Sequence, residues 1–181
     1  MIISCTTCSL RGYGVDEIWE TLKHAPRAGY SYWGLAGPIT WIPGLIRWLD
    51  TNLINRVALE AGLKGCTEVY GPPIPTDSPQ AAEQGAENLF LVVQKAIEMN
   101  CSLVVFTGGK RQKNGLAHTI IGLRKLCKMI KNIPVKIALE PHVGSQIEKD
   151  SDYEEIFKDI TSKQVGITIA VSYTHLTLPT N

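Results

Sequence analysis

Short apolar runs recur along the chain and alternate with longer stretches of helical periodicity. Runs rich in β-branched, aromatic or aliphatic residues fall at 2–5 (IISC), 31–36 (SYWGLA), 65–70 (GCTEVY), 102–107 (SLVVFT), 135–140 (VKIALE) and 165–169 (VGITI). Their lengths and composition predict strands. Between the third and fourth, residues 80–99 place Ala82, Ala86, Leu89, Phe90, Val93, Ala96 and Ile97 on one face of a helix. Ser78 and Pro79 stand just ahead of it, as N-cap and first-turn proline. Ser151 and Glu154 form a capping-box pattern before Tyr153, Ile156, Phe157 and Ile160 at core spacing. The segments 16–28, 45–61 and 117–131 are the remaining predicted helices.

A series of this kind predicts parallel strands joined by right-handed crossovers. Two architectures satisfy it. A doubly wound sheet is complete with six strands. A (β/α)8 barrel typically needs about 250 residues, so 181 residues would hold about its first six βα units, a partial barrel. After residue 169 the regularity stops, because AVSYTHLTLPTN has neither a helical stripe nor a further unit. The expected division is therefore an incomplete barrel domain over 1–169 and an aberrant or disordered tail over 170–181, read as truncation or a sequence artefact.

Composition narrows the partners. Hydrophobic residues make up 44% and charged residues 19% of the chain, as in ordinary soluble domains. A net charge of +1 gives no electrostatic argument for nucleic acid or a membrane surface. No run is long and apolar enough to span a bilayer. Five cysteines, an odd number placed mostly in apolar segments, suit buried thiols in a reducing cytoplasm. Cys5 and Cys8 form a CxxC, but Cys66, Cys101 and Cys127 are lone in sequence and complete no zinc set.

Chemistry is expected at the C-terminal ends of the strands, the binding face of either parallel architecture. Glu140 closes the 135–140 strand there, with Pro141 ending the pairing and His142 beyond. A carboxylate so placed can ligate a hard divalent ion or act as a general base. Lys110, Arg111 and Lys113 put three cations after the fourth strand, where an acidic or phosphorylated substrate would meet them. Trp41, in a Gly- and Pro-bearing loop, is the candidate lid over an apolar sugar face, whereas Trp19, Trp33 and Trp48 are expected in the core. Gly12-Tyr13-Gly14 opens like a dinucleotide fingerprint, but Glu17 occupies the place of its third glycine.

The run LEPHVGS at 139–145, followed by DYEEIFKDI and VGITI, resembles the xylose isomerase-like TIM-barrel superfamily of sugar isomerases, epimerases and inosose dehydratase-type enzymes. MIISCTTCSL is similar to that family's first strand, and SLVVFTGG to its fourth. The resemblance implies metal-dependent proton or hydride transfer next to a polarised carbonyl of a sugar or polyol-derived ketone. It implies Glu140 as both metal ligand and proton carrier, with Mn, Mg, Co or Zn as the ion. His142, Lys110 and Trp41 are the candidate substrate contacts. The family's sixth-strand aspartate is replaced by Ala170, and His175 does not restore it. The ligands of the seventh and eighth strands have no counterpart, so this chain is expected to be an inactive fragment of an enzyme that in full-length form could be a homo-oligomer. An endonuclease IV-type reading needs histidines after the third and fourth strands, and VYGPPIP and FTGGKRQ supply none. An inosose dehydratase-type lyase and a complete six-stranded doubly wound binding domain remain the alternatives.

Overall fold

The structure, a computed structural model, describes residues 1–169. Its six strands are β1 (Ser4–Thr6), β2 (Tyr32–Leu35), β3 (Cys66–Tyr70), β4 (Leu103–Thr107), β5 (Lys136–Glu140) and β6 (Val165–Ile167). All neighbours run parallel, and their order in the sheet is their order in the sequence. A doubly wound sheet reverses its winding at a switch point. Here every strand adds to the same edge, which is how a barrel wall grows. The six-stranded doubly wound alternative is thereby overturned, and the fold is α/β, a partial (β/α)8 barrel.

The helices are α1 (Glu17–His24), α2 (Pro38–Trp41), α3 (Thr51–Glu60), α4 (Pro79–Glu98), α5 (Gly115–Ile130) and α6 (Asp150–Asp159). Right-handed crossovers in sequential order carry them to one face of the sheet. Alternate strand residues such as Val104, Phe106, Ile137 and Leu139 meet Leu89, Val93, Leu123, Leu126 and Ile156 in one core. The expected face of α4 is realised: Ala82, Ala86, Leu89, Val93 and Ala96 are fully buried, although Ile97 lies exposed at its margin. The Ser78 hydroxyl accepts from the Ala81 amide at 3.1 Å and starts the helix.

Two helix boundaries differ from expectation. The segment 45–61 is broken: a 3-10 turn over Leu45–Trp48 precedes α3, which restarts where the Asp50 carboxylate accepts from the Leu53 amide at 2.9 Å. At α6, the Ser151–Glu154 box is not used. The Asp152 carboxylate turns back to accept at Oδ2 from the amides of Glu148 at 3.0 Å and Lys149 at 2.8 Å, while Arg111 donates to the same oxygen at 2.5 Å and to Oδ1 at 3.4 Å. Burial alone would raise the Asp152 pKa, but the Arg111 guanidinium and the two amides outweigh it and hold the group below its ordinary value of 3.8. A depressed carboxyl stabilises the fold above the unfolded-state pKa, and that stabilisation is lost as pH falls through the folded one. Asp152→Ala is expected to cost about 1–3 kcal/mol at pH 7. The loss should shrink below pH 4, as read by urea unfolding at the two pH values.

Candidate active site

The C-terminal ends of the first five strands converge on a cavity of about 470 Å³ lined by Thr6, Tyr70, Thr107, Glu140, His142 and Trp41, among others. Local sequence explains each placement. The Thr7 hydroxyl, just past β1, donates to the Ala36 carbonyl at 2.5 Å and accepts from the Ala36 amide at 2.8 Å. This suture ties the ends of β1 and β2 together and leaves Thr6 and Cys8 facing the cavity. Register puts Thr107 beside Glu140 at the ends of β4 and β5. Beyond Glu140, Pro141 ends the ladder, and the chain turns back so that the His142 amide donates to the Ile147 carbonyl at 3.0 Å.

The loops above this face pack backbone against backbone. A Cβ on Gly108 would stand 2.4 Å from the Ile147 nitrogen, and one on Gly109 would stand 2.4 Å from the Ile74 oxygen. The two glycines thus serve the close approach of the loops after β3, β4 and β5. Arg111 is engaged with Asp152 and Glu148. Lys110 is exposed on the same loop and is not one of the residues lining the cavity.

Glu140 is half-buried, and burial raises its pKa above the usual carboxylate range, with nearby His142 and the Tyr70 hydroxyl acting in the opposite direction. Tyr70 is itself pushed well above the ordinary phenol value, first by burial and then by the Glu140 and Glu68 carboxylates. It therefore keeps its proton at neutral pH and presents it to Glu140. On the far side of β5, Tyr153 is pushed up to about 12 by burial and by Glu140. A carboxylate whose pKa is shifted toward neutrality, steadied by a phenol, is suited to taking and returning a proton.

Glu140, His142 and Trp41 are thus brought to one cavity. Trp41 ends α2, with the Arg11 guanidinium 5.5 Å from its ring centroid, a cation–π contact. Trp33 is core at 1% exposure, as expected. Trp48 is not: it is 78% exposed, because the 3-10 turn eclipses positions three apart, turning Leu45 and Trp48 out and Ile46 and Leu49 in. Trp19 is also outside the core at 39% exposure, one residue off the Ile18–Leu22 stripe. Sequence reading passed over Tyr70 and Glu68. Tyr70 ends β3 just as Glu140 ends β5, so the rule that singled out Glu140 points to it too. The Glu68 carboxylate accepts from the Ser4 hydroxyl at 3.2 Å, across the inner face of the sheet.

Among the described residues no group of three His, Cys, Asp or Glu side chains is placed to hold a metal ion. Hard divalent ions take six or more oxygen ligands, several from carboxylates or water, and one carboxylate beside an imidazole is not such a set. The described residues therefore do not fit a resident divalent ion. Ala170 and His175 lie outside the described residues. Titration of this chain with Mn²⁺, followed by loss of the free-ion EPR signal, is expected to show no site tighter than about millimolar.

The fold and rim define a barrel protein of the kind whose site is built from strand ends and loops. Residues 23–177 match the xylose isomerase-like TIM barrel family, and the chain belongs to that family. Solved structures agree in fold. An AP endonuclease, family 2, from Brucella melitensis superposes with a TM-score of 0.71 at 14% identity over 94% of this chain and 68% of its own. The 3-keto-D-glucoside 4-epimerase YcjR from E. coli, in its apo form, gives 0.70 at 14% over 92% and 67%. A xylose isomerase-like TIM barrel protein from Mycobacterium smegmatis, in complex with magnesium, gives 0.71 at 13% over 92% and 63%. The chain thus spans about two thirds of the length of these structures. No curated protein sequence matches it. Among the described residues no helix is long and apolar enough to cross a membrane.

Proposed function

We propose that the chain carries the acid–base part of a sugar isomerase or epimerase site, with Glu140 as the group that moves the proton. The observation behind this reading is the half-buried Glu140 carboxyl at the end of β5, raised in pKa and hydrogen-bonded by Tyr70 inside the cavity. A ketose, or a ketone derived from a polyol, enters with the carbon next to its carbonyl against Glu140. The carboxylate takes that proton, the C–H electron pair passes into an enolate, and the proton returns to the neighbouring carbon or to the opposite face. Tyr70 holds the carboxylate in place through its hydroxyl. The Trp41 ring covers an apolar face of the sugar, and His142 contacts its hydroxyls at the rim. Lys110 meets only a substrate that reaches past the rim. The described residues do not by themselves supply the donors for a divalent ion, and among them the proton step rests on Glu140. The five free cysteines suit residence in a reducing cytoplasm.

Solvent exchange tests the reading. A ketose incubated with the protein in D2O is expected to gain deuterium at the carbon beside its carbonyl faster than in buffer, as followed by proton NMR. Absence of any enzyme-dependent exchange across a panel of ketoses and cyclic ketones would remove the proposal.

A further inference from the structure

A pair of thiols lies at the opposite end of the strands from Glu140. Cys66 opens β3, and Cys101 stands just ahead of β4. Val69 sits opposite Val104 in the β3–β4 ladder, and Cys66 and Cys101 each stand three residues earlier in the sequence. Both are buried in the same core, at 9% and 2% exposure. Their local geometry is the same: the Cys66 thiol donates to the Glu68 carbonyl at 3.3 Å, and the Cys101 thiol to the Leu103 carbonyl at 3.4 Å. The two thiols lie close enough to influence each other's ionisation. Cys66 borders a cavity of about 360 Å³ shared with Ser4, Glu68, Asn100 and Ser102, the last two flanking Cys101, which gives a small reagent a way in.

We propose that Cys66 and Cys101 form an intramolecular disulfide site that hydrogen peroxide closes. The neighbouring Cys66 thiol favours the Cys101 thiolate and lowers its pKa, while Cys101 and burial hold the Cys66 proton in place. Cys101 is accordingly the nucleophile. Its sulfur attacks one peroxide oxygen; the S–O bond forms, the O–O bond breaks, and the departing hydroxide leaves as water with the proton taken from the thiol. The Cys66 sulfur then attacks the Cys101 sulfenic acid; the S–S bond forms, the S–O bond breaks, and a second water leaves with the remaining proton. Two thiols are oxidised by two electrons in all, and the peroxide is reduced to two waters. The bridge would staple β3 to β4 across the whole of α4 and constrain a long loop of the unfolded chain. The other cysteines lack this arrangement. The Cys5 thiol points to the Thr6 carbonyl at 3.9 Å, Cys8 contacts the Thr6 hydroxyl at 3.3 Å, and Cys127 is on α5.

The test is peroxide treatment of the folded protein, alkylation of the remaining thiols, and tryptic mapping without reduction. The expected product joins the peptide 65–95 to the peptide 96–110 within one chain, with two thiols fewer and a higher Tm. In Cys66→Ser the resolving thiol is gone, and dimedone is expected to trap Cys101 as its sulfenic adduct. Should that variant fail to fold, the wild-type map decides alone. Cys66 and Cys101 that both stay open to alkylation while Cys5 or Cys8 is oxidised would overturn the proposal, as would a link found only between separate chains.

Discussion

Glu140→Gln is expected to lower substrate proton exchange by about 10² to 10⁴, the usual range for removing a general base. The substitution keeps the shape of the side chain and its capacity to accept from Tyr70, so the loss reads the proton transfer itself. Stability is expected to move the other way. Glu140 has a raised pKa because burial disfavours its charge, so the folded state binds this proton more tightly than the unfolded state does. Its contribution is therefore most favourable below the ordinary value of 4.5 and declines as pH rises through the raised value. Glutamine carries no charge to desolvate, so Glu140→Gln is expected to raise Tm at pH 7 and to lose that advantage at pH 4. Thermal unfolding at the two pH values, beside the exchange assay, separates a functional carboxylate from a structural one. A variant that loses stability at pH 7 and keeps full exchange would contradict both halves of the argument.

Trp33→Ala is expected to destabilise the protein by about 3–5 kcal/mol, the range for removing a large aromatic side chain from a packed core. Trp33 is among the largest fully buried side chains and sits on β2, the second strand of the wall. Neighbouring backbone holds the cavity open, because β2 is paired on both sides. Trp48→Ala, on the exposed side of its 3-10 turn, is expected to stay within about 0.5 kcal/mol of wild type. Urea midpoints for the two variants test whether the sheet–helix core lies where the structure puts it. A comparable loss for both would mean that Trp48 also packs against the core.

Much of this architecture was legible in residue order, and particular residues show why. The six apolar runs became six strands because β-branched and aromatic residues fit a pleated surface buried on one side or both. Ser78 and Pro79 started α4 because capping is local and needs only neighbours within one turn. Glu140 could be placed at the end of a strand because Pro141 follows it. The exposure of Trp48 was not legible, since a 3-10 turn and an α-helical turn share most of their composition and differ in period. Nor was the use of Asp152 in place of the Ser151–Glu154 box, since Arg111, 41 residues away, made that carboxylate the better partner.

What the sequence by itself determined is the succession of strands and helices, the start of the long helix, and the placing of one carboxylate at a strand end. Those properties depend on neighbours within a few residues, so order and periodicity are enough to show them. Only the tertiary structure decided that the strands add to a single edge, that Tyr70 reaches Glu140, and that Cys66 meets Cys101. Each of these contacts joins residues at least 28 positions apart, and such distances close only when register, crossover direction and loop packing act together.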